Sequence, residues 1–307
     1  MDDVIVFGSL NMDLVVNMER LPIQGETING TDLSRFPGGK GANQAVGIAR
    51  LGLNSFMVGR VGNDDFGKNL FNSLANENVD VSGISQDILE STGTAIIYVD
   101  SNGDNTIVAV YGSNMKCGSR EIDFTIEKKP DSDLLMLQNE IPAITSIDIA
   151  TRWSELGGRI IWDPAPASEK HLPLLNVCDF VTPNEVEVSS LSNTRVTNIE
   201  SAKKACMEIA SIGTAVPIIK LGGQGVVYMD GSKVIHQPAF KVNVLDTVAA
   251  GDAFNAGFAT ALNEGKNLPD SVRFGCGVGA LATMKRGAQS AMPYREEVER
   301  FLETRVS

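Results

Sequence analysis

Short apolar runs alternate along the chain with segments whose apolar residues recur at helical spacing. Strand-like runs occupy residues 4–7, 134–137, 159–162, 180–182 and 217–221, and a helical segment at 199–212 precedes the last of them. Such alternation is typical of β-α-β units, in which parallel strands are joined by helices that cover both faces of the sheet. The pattern predicts an α/β fold, a doubly wound and mostly parallel sheet sandwiched by helices.

Two regions depart from this pattern. Residues 94–99 and 106–111 are rich in β-formers and flank a polar turn, while 13–17 and 26–36 look like further extended pieces. We expect one domain over residues 1–307, with a small sheet formed by about 13–36 and 93–111 that acts as a lid. A surface hairpin on the main sheet is the alternative. The lid's apolar face needs cover, and a homodimer partner is our hypothesis for it.

A third β-rich segment lies later in the chain. Residues 225–228 and 233–236 flank the turn Asp230-Gly231, which predicts a hairpin that extends one edge of the main sheet.

The composition limits the classes of molecule that this protein is expected to bind. The net charge is −12 and the isoelectric point about 4.7, which argues against a broad surface for nucleic acid or anionic membranes. The four cysteines form no C-x-x-C pair, so neither a zinc site nor a disulfide framework is indicated. No apolar run approaches the length of a membrane span, and the start lacks a basic signal-peptide region. We expect a cytoplasmic protein without nucleic-acid or membrane partners.

Residues 246–257, DTVAAGDAFNAG, place one carboxylate at the start of a helix made of small residues. Ala249, Ala250 and Gly251 leave the main chain accessible, so the unpaired N–H groups of the first turn can face a phosphate. Asp252 can then act as a base. The alternative is that Asp252 only complements the helix dipole and that the small residues only pack closely.

A second glycine-rich motif, FPGGKGANQAVGIARLG, fills residues 36–52 and predicts a turn that opens a helix ending at Gly52. It is not a Walker A loop, because Gly-x4-Gly-Lys-Ser/Thr is absent and Ala42 stands where the hydroxyl would be. Lys40 and Asn43 are donors suited to a polyhydroxyl ligand or a γ-phosphate. A purely structural glycine turn is the alternative.

Polar or glycine residues follow several predicted strands. They are residues 8–11, Glu140, Asp163, Asn184 and Gly222. Ligands of open parallel sheets bind beyond the carboxyl ends of the strands, so one crevice could hold all of these residues.

The remaining histidines and tryptophans receive structural interpretations. His171 and His236 lack paired ligand spacing and are expected in surface or turn positions. Trp153 and Trp162 are expected to pack in the interior. The run Gly275-x-Gly-x-Gly279 lacks the dinucleotide-binding spacing and is compatible with close helix packing.

Five motifs together carry a family resemblance. Besides 36–52 and 246–257 they are GSLNMD at 8–13, TPNEVE at 182–187 and KLGGQG at 220–225. In this order and spacing, over essentially the whole chain, the sequence resembles the ribokinase family of carbohydrate kinases. The resemblance implies ATP-dependent transfer of the γ-phosphate to the 5-hydroxyl of D-ribose, giving ribose 5-phosphate and ADP.

Alternatives stay open at this point. Within the family they are kinases of deoxyribose, another sugar or a nucleoside; outside it, a non-catalytic sugar or nucleotide sensor. A nicotinamide oxidoreductase is disfavoured because Gly8-Ser9-Leu10-Asn11 does not open a Gly-x-Gly-x-x-Gly fingerprint.

The resemblance also implies site roles. Asp252 matches the catalytic base, and the amides of Ala249, Ala250, Gly251 and Asp252 match the anion hole. The sugar-contacting positions, to which Asp252 also belongs, are matched by Asp13, Gly39, Lys40, Asn43 and Glu140. Asn184 and Glu187 match an element that positions Mg²⁺ and phosphates through water. The other nucleotide-binding positions are matched by Lys220, Gly222, Gly225, Gly251 and Cys276.

An activating potassium ion is implied as well, beside ATP and Mg²⁺. Its ligands would come from Asp246, the carbonyl of Val248 and the loop 285–291, in which Lys285, Ala288 and Ala291 are the matching positions. The sequence departs from the family here: Ala291 stands where ribokinases usually have serine, and Ser290 precedes it. One oxygen ligand is therefore expected to be missing or moved, and we predict potassium activation nonetheless.

Overall fold

A computed structural model describes residues 3–128 and 132–305 of the chain. The ends of the predicted 1–307 domain, residues 1–2 and 306–307, and residues 129–131 lie outside the described residues. The strands within the described ranges are β1 (Asp3–Phe7), β2 (Asn11–Met18), β3 (Gly30–Gly38), β4 (Ser55–Gly62), β5 (Asp80–Asp87), β6 (Gly93–Val99), β7 (Asn105–Val110), β8 (Ser132–Leu137), β9 (Arg159–Trp162), β10 (Phe180–Val181), β11 (Val216–Lys220), β12 (Val226–Asp230) and β13 (Lys233–Gln237). The α-helices there are α1 (Lys40–Arg50), α2 (Asp65–Asn76), α3 (Ser119–Glu127), α4 (Ala143–Glu155), α5 (Glu185–Leu191), α6 (Ile199–Ile212), α7 (Ala250–Asn263), α8 (Leu268–Ala282) and α9 (Arg295–Glu303).

Nine of these strands form one sheet in the order β13-β12-β11-β10-β9-β8-β1-β4-β5. The pairs from β11 to β5 are parallel, whereas β12 at one edge pairs antiparallel with both β11 and β13. The predicted α/β fold with a mostly parallel sheet is confirmed, as is the hairpin that extends its edge.

The central strands are apolar on both faces because helices cover both. Along β1, Val4 and Val6 pack into one hydrophobic cluster, whereas Ile5 and Phe7 pack into a second cluster on the other side. This alternation is the period-2 geometry of a strand buried on both faces. The first cluster includes side chains of α1, α7 and α8, and the second includes side chains of α4 and α6.

Close packing of α7 on α8 explains glycines in both helices. A Cβ atom at Gly257 would lie 2.6 Å from Val278 Cγ2, and one at Gly275 would lie 2.9 Å from the Phe254 carbonyl oxygen. The glycine run is therefore a helix-packing feature. Trp153 and Trp162 are fully buried, which confirms their predicted packing role.

The other four strands form a separate sheet in the order β3-β2-β6-β7. In its register Asp13 on β2 lies between Phe36 on β3 and Ala95 on β6. The alternative of a hairpin on the main sheet is wrong, since the small sheet shares no strand pairing with the larger one. Because β2 begins four residues after β1 ends, Asp13 is held close to the carboxyl edge of the main sheet. In the described part of the chain no helix has both the length and the apolar character to cross a membrane.

Candidate active site

The start of α7 leaves two backbone amides of its first turn without helical hydrogen bonds. Ala249, at the N-cap position, adopts a left-handed conformation with φ 55°. The first helical hydrogen bond runs from the Ala253 amide to the Ala249 carbonyl (2.9 Å), so the amides of Gly251 and Asp252 precede it. The Ala250 amide instead donates to the Thr247 carbonyl (3.2 Å) and is already engaged.

Asp252 lies in the first turn of α7 with only 5% of its surface exposed. Its Oδ2 accepts from Asn43 Nδ2 (2.9 Å) and its Oδ1 from Gln44 Nε2 (3.1 Å). Burial raises the pKa of Asp252, the charge of Lys40 opposes this, and the charge of Asp163 adds to it. A carboxylate with a raised pKa at a helix start is suited to accept a proton near neutral pH.

Glycines let α1 begin against the loop that follows β1. Gly39 has φ 91°, and a Cβ atom there would lie 2.7 Å from the Asn11 amide nitrogen. A Cβ atom at Gly41 would lie 2.7 Å from the Ser9 nitrogen. This approach brings Lys40 and Asn43 to the same edge of the sheet as residues 8–11.

Lys40 is surrounded by carboxylates. Burial by itself would lower its pKa, but four acidic groups outweigh this and raise the pKa above its usual value. These groups are Asp252, Asp163, Glu140 and Glu187. The ammonium group therefore stays charged, and its positive charge partly balances the acidic residues of the crevice.

Glu140 is held by the segment after β1 and by the start of α1. Its Oε2 accepts from the Lys40 amide (3.2 Å), from Asn11 Nδ2 (3.4 Å) and from the Ser9 hydroxyl. The Asn11 side chain is fixed in turn by Asn114, whose Nδ2 donates to Asn11 Oδ1 (2.8 Å).

Asp13 shares this environment. Its carboxylate lies against Gly38, where a Cβ atom would come within 2.2 Å of Oδ2. Burial and the charges of Glu140 and Asp252 raise the pKa of Asp13 to about 7, although Lys40 opposes the shift. The predicted sugar positions are thus brought together around Asp252.

A cavity of about 560 Å³ is lined in part by Asp252 and Lys40. All seven predicted nucleotide positions line it: Asn184, Glu187, Lys220, Gly222, Gly225, Gly251 and Cys276. Lys40, Asp163 and Asp252 form its polar end, whereas Phe240, Val242, Val244 and Phe254 contribute apolar walls. Such a cavity can hold a ligand with a flat apolar end and a charged end. Burial raises the pKa of Cys276 to about 12, so its thiol stays protonated.

Asn184 and Glu187 form a capping box at the start of α5. The Asn184 Oδ1 accepts from the amides of Val186 (2.9 Å) and Glu187 (2.8 Å), and Glu187 Oε2 accepts from the Asn184 amide (2.8 Å). Glu187 is buried, with 7% of its surface exposed. Burial raises the pKa of Glu187, with Lys220 opposing the shift.

Asp246 links the two chain segments that contain the predicted potassium positions. Its Oδ1 accepts from the Val248 amide (3.0 Å) and its Oδ2 from the Gly287 amide (2.9 Å), which ties the turn before α7 to the loop 285–291. Lys285 instead donates from Nζ to Glu297 Oε1 (2.8 Å) on α9. Ala288 and Ala291 are buried within this loop. The Ser290 hydroxyl donates to the Arg286 carbonyl (2.9 Å) inside the same loop.

Among the described residues no cluster of three or more His, Cys, Asp and Glu side chains could hold a metal ion.

The sequence alone did not indicate two residues of the hydrogen-bond network around Asp252, nor one of the contacts made by Asp163. Gln44 bridges Asp252 and Asp163, and Gln138 Nε2 donates to Gln44 Oε1 (2.8 Å). Asp163 was expected only as a strand-end residue, yet it pairs with Lys220 Nζ (3.0 Å). Two features of the sequence could have indicated these glutamines. Gln44 directly follows Asn43, and Gln138 directly follows a predicted strand. His171, expected at the surface or in a turn, lies in a 3-10 turn but is buried.

The fold and the site define an α/β small-molecule kinase: an acid at a helix start lies beside a cluster of polar side chains and lines a cavity of nucleotide size. The chain matches the family described as pfkB family carbohydrate kinase over residues 1–295, and it belongs to that family.

Named relatives agree with this membership. The Bacillus subtilis ribokinase is 38% identical over 307 residues, covering 98% of this chain and all of that protein. A Salmonella typhi deoxyribokinase is 30% identical, with 98% of each chain covered. Among solved structures, the Arabidopsis thaliana ribokinase complexed with ribose and ATP has a TM-score of 0.90 and 32% identity, covering 98% of this chain and 99% of that one.

Proposed function

We propose that this carbohydrate kinase transfers the γ-phosphate of ATP to the 5-hydroxyl of D-ribose, giving ribose 5-phosphate and ADP. The observation that carries the proposal is the position of Asp252, which is buried at the start of α7, lines the cavity of about 560 Å³ and interacts electrostatically with Asp13 and Lys40. The similarity to ribokinases, one of them solved with ribose and ATP, supports this choice of substrates.

In this mechanism Asp252 accepts the proton of the 5-hydroxyl as the oxygen attacks the γ-phosphorus. A bond forms between that oxygen and phosphorus, the bond from phosphorus to the bridging oxygen breaks, and ADP leaves with the bonding electrons. The amides of Gly251 and Asp252 face the charge that develops on the phosphoryl oxygens. Positioning provides much of the acceleration, and a general base typically adds about 10² to 10⁴.

Sugar recognition is assigned to the polar cluster near Asp252. The Asp13 and Glu140 carboxylates accept hydrogen bonds from hydroxyls, and Lys40 donates. Asn43 Oδ1 is buried and has no hydrogen-bond partner among the described residues, so it is available to a sugar hydroxyl. Gly39 lets the start of α1 lie against the backbone of residues 9–11, which brings Lys40 and Asn43 to this cluster. A nucleoside needs an apolar slot for its base and fits this cluster less well.

Magnesium is assigned to the nucleotide side. The Glu187 oxygens each accept one bond from Asn184, at 2.8 and 3.0 Å, and keep lone pairs for water. This hard oxygen donor set fits Mg²⁺ held through water, as that ion gives up its hydration reluctantly. When bound, Mg²⁺ would neutralise part of the negative charge of the phosphates. Lys220 faces the same cavity and complements the phosphates as a point charge.

Potassium is assigned to the backbone joined by Asp246. Its carboxylate and the carbonyl of Val248, with the backbone of loop 285–291, form an oxygen-rich donor set of the kind that hard cations take. Potassium supplies positive charge near the start of α7 when bound. The methyl group of Ala291 provides no oxygen, so we expect potassium to bind less tightly than in an otherwise identical serine variant.

The small sheet is assigned the role of a lid within a single domain, and a second copy of the chain is assigned as the cover of its apolar face. On its edge strands Leu33 is 56% exposed and Ile107 57%. Exposed apolar surface of this kind favours association. Light scattering at micromolar concentration should show a dimer, and a monomer there would contradict the assignment. The acidic charge and the reduced cysteines agree with a cytoplasmic location.

A coupled assay of ADP release tests the function. Ribose, deoxyribose, hexoses and nucleosides are compared with ATP and Mg²⁺ present, and ³¹P NMR locates the phosphate on the product. We expect the highest kcat/KM with ribose and a phosphate on the 5-oxygen. A higher kcat/KM with deoxyribose would favour the alternative supported by the deoxyribokinase relative. Sugar binding without ADP release would indicate a sensor.

A further inference from the structure

Gln44 lies at the centre of a buried chain of hydrogen bonds. Its Nε2 is 3.0 Å from Asp163 Oδ2 and 3.1 Å from Asp252 Oδ1. A side-chain amide nitrogen carries two hydrogens, so a single group serves both carboxylates at once. Gln44 is fully buried, and water does not compete for these bonds.

The orientation of the Gln44 amide is fixed from the opposite end. Gln138 Nε2 donates to Gln44 Oε1 across 2.8 Å. Reversing the Gln44 amide would place its carbonyl oxygen against two carboxylates, which is repulsive. Gln138 is itself confined, because its Oε1 faces Gly8 so closely that a Cβ atom there would lie 1.9 Å away.

The same chain reaches the nucleotide cavity. Asp163 Oδ1 accepts from Lys220 Nζ (3.0 Å), and Lys220 ends β11 at the wall of that cavity. Asp252 is thereby joined through Gln44 and Asp163 to a cation on the nucleotide side. The charged groups that face Asp252 are Lys40 from α1, Asp163 after β9 and Asp13 from β2.

We propose that Gln44 is a positioning residue, which orients the Asp252 carboxylate toward the sugar hydroxyl and keeps it ionised by bridging it to Asp163. The proposal rests on the proposed function, in which Asp252 is the base. A hydrogen bond to the ionised form stabilises that form. Without the bridge the two carboxylates repel each other directly, and Asp252 loses the donor that restrains its rotation on one side.

The test is the pH dependence of kcat in folded variants. Gln44→Met keeps the length of the side chain and removes the amide. We expect the acid limb of the kcat profile to move up by about 1 pH unit. The kcat at pH 7 should fall about tenfold, while KM for ribose and for ATP stays within about twofold of wild type. A residue needed only for packing would leave the acid limb in place.

Two further variants extend the test. Gln44→Glu should move the acid limb further than Gln44→Met, because it adds a third negative charge beside Asp252 and Asp163. Gln138→Met should move it in the same direction by less, because the Gln44 donors remain but lose their anchor. Gln86→Met, at an exposed glutamine on β5, is the matched control and should leave the profile unchanged.

Asp252→Asn is measured in parallel to separate two kinds of failure. If Asp252→Asn keeps the wild-type rate, the base assignment fails, and the positioning proposal fails with it. If Asp252→Asn loses turnover while folded Gln44→Met keeps the wild-type acid limb, only the positioning proposal is overturned. Should Gln44→Met fail to fold by circular dichroism, unchanged acid limbs in Gln44→Glu and Gln138→Met overturn it equally.

Discussion

Asn43 Nδ2 donates to Asp252 Oδ2 across 2.9 Å, although the two residues are 209 positions apart in the chain. Each belongs to a glycine-rich motif at the start of a helix, α1 or α7, and the two starts meet at the carboxyl edge of the main sheet. The bond joins the motif that we propose for sugar binding to the acid that we propose as the base. It also orients the Asn43 amide, whose oxygen has no hydrogen-bond partner among the described residues.

Neutralising Asp252 should remove the proton acceptor without changing the shape of the site. We expect Asp252→Asn to lower kcat by at least about 100-fold, the lower range for loss of a general base, with ATP and ribose affinities largely kept. Steady-state kinetics and calorimetry measure the two effects. Asp270→Asn, which changes an exposed acid in the first turn of the neighbouring helix α8, is the control and should keep full turnover. Near wild-type kcat in Asp252→Asn would contradict the base assignment.

Asp13 should make the free protein less stable as the pH rises. Its pKa in the folded state is raised to about 7 from a usual 3.8, so folding favours the neutral form. The stabilising contribution is complete below pH 3.8 and is lost as the pH rises through about 7. Asp13→Asn should therefore melt above wild type at pH 8, with a smaller difference at pH 4.

Thermal melts without ligand measure this effect. Asp32→Asn, at an exposed carboxylate on the adjacent strand β3, is the matched control. A melting difference between Asp13→Asn and wild type that is the same at both pH values would contradict the assignment. Ribose KM should rise in Asp13→Asn, since a hydroxyl acceptor is lost.

His171 should weaken the fold in acid. Burial lowers the pKa of this imidazole below its usual 6.5, although the nearby Ile141 backbone opposes the shift. The favourable contribution of the neutral ring is complete above pH 6.5 and is lost as the pH falls through the depressed folded-state pKa. His171→Phe should therefore show a smaller loss of unfolding free energy between pH 7 and pH 5 than wild type does.

Urea unfolding at the two pH values gives that comparison, and His236→Phe serves as the control for a histidine that the fold leaves partly exposed. An identical pH dependence in His171→Phe and wild type would show that His171 titrates normally.

Restoring a hydroxyl at residue 291 should strengthen potassium activation. Ala291→Ser adds an oxygen at the position where ribokinases usually have serine, so half-activation should need less potassium than in the wild type. Ser290→Ala is the control, because its hydroxyl is already bound to the Arg286 carbonyl, and its potassium dependence should match wild type. ADP release titrated with potassium measures both. Wild-type activity that is equal with and without potassium would refute the cation assignment.

Local patterns predicted much of the architecture because their physical causes are local. The apolar run of β1 indicates a strand buried on both faces, and the fully buried Val4 to Phe7 bear this out. The hairpin of β12 and β13 followed from alternation around a turn at Gly231, where φ is 57°. The small residues around Ala249 indicated a helix start whose backbone amides are accessible.

Other features depend on partners that are distant in the chain. Nothing near Gln138 in the sequence indicates that it anchors Gln44, since the bond spans 94 positions. The burial of His171 depends on α4 and neighbouring elements packing around a 3-10 turn, which its local sequence does not indicate.

The sequence by itself determined five strands of the main sheet, its edge hairpin, the pieces of the small sheet, the helix at 199–212, the two glycine-rich helix starts and the carboxylate at Asp252, because dihedral preferences and apolar periodicity act over a few residues. It did not indicate β4 and β5. Only the tertiary structure decided that Asp252, Gln44, Asp163 and Lys220 form one hydrogen-bonded chain and that burial, together with the nearby charge of Glu140, raises the pKa of Asp13. Those outcomes depend on distance and burial, and both are set when the strands assemble into a sheet and bring remote loops to one edge.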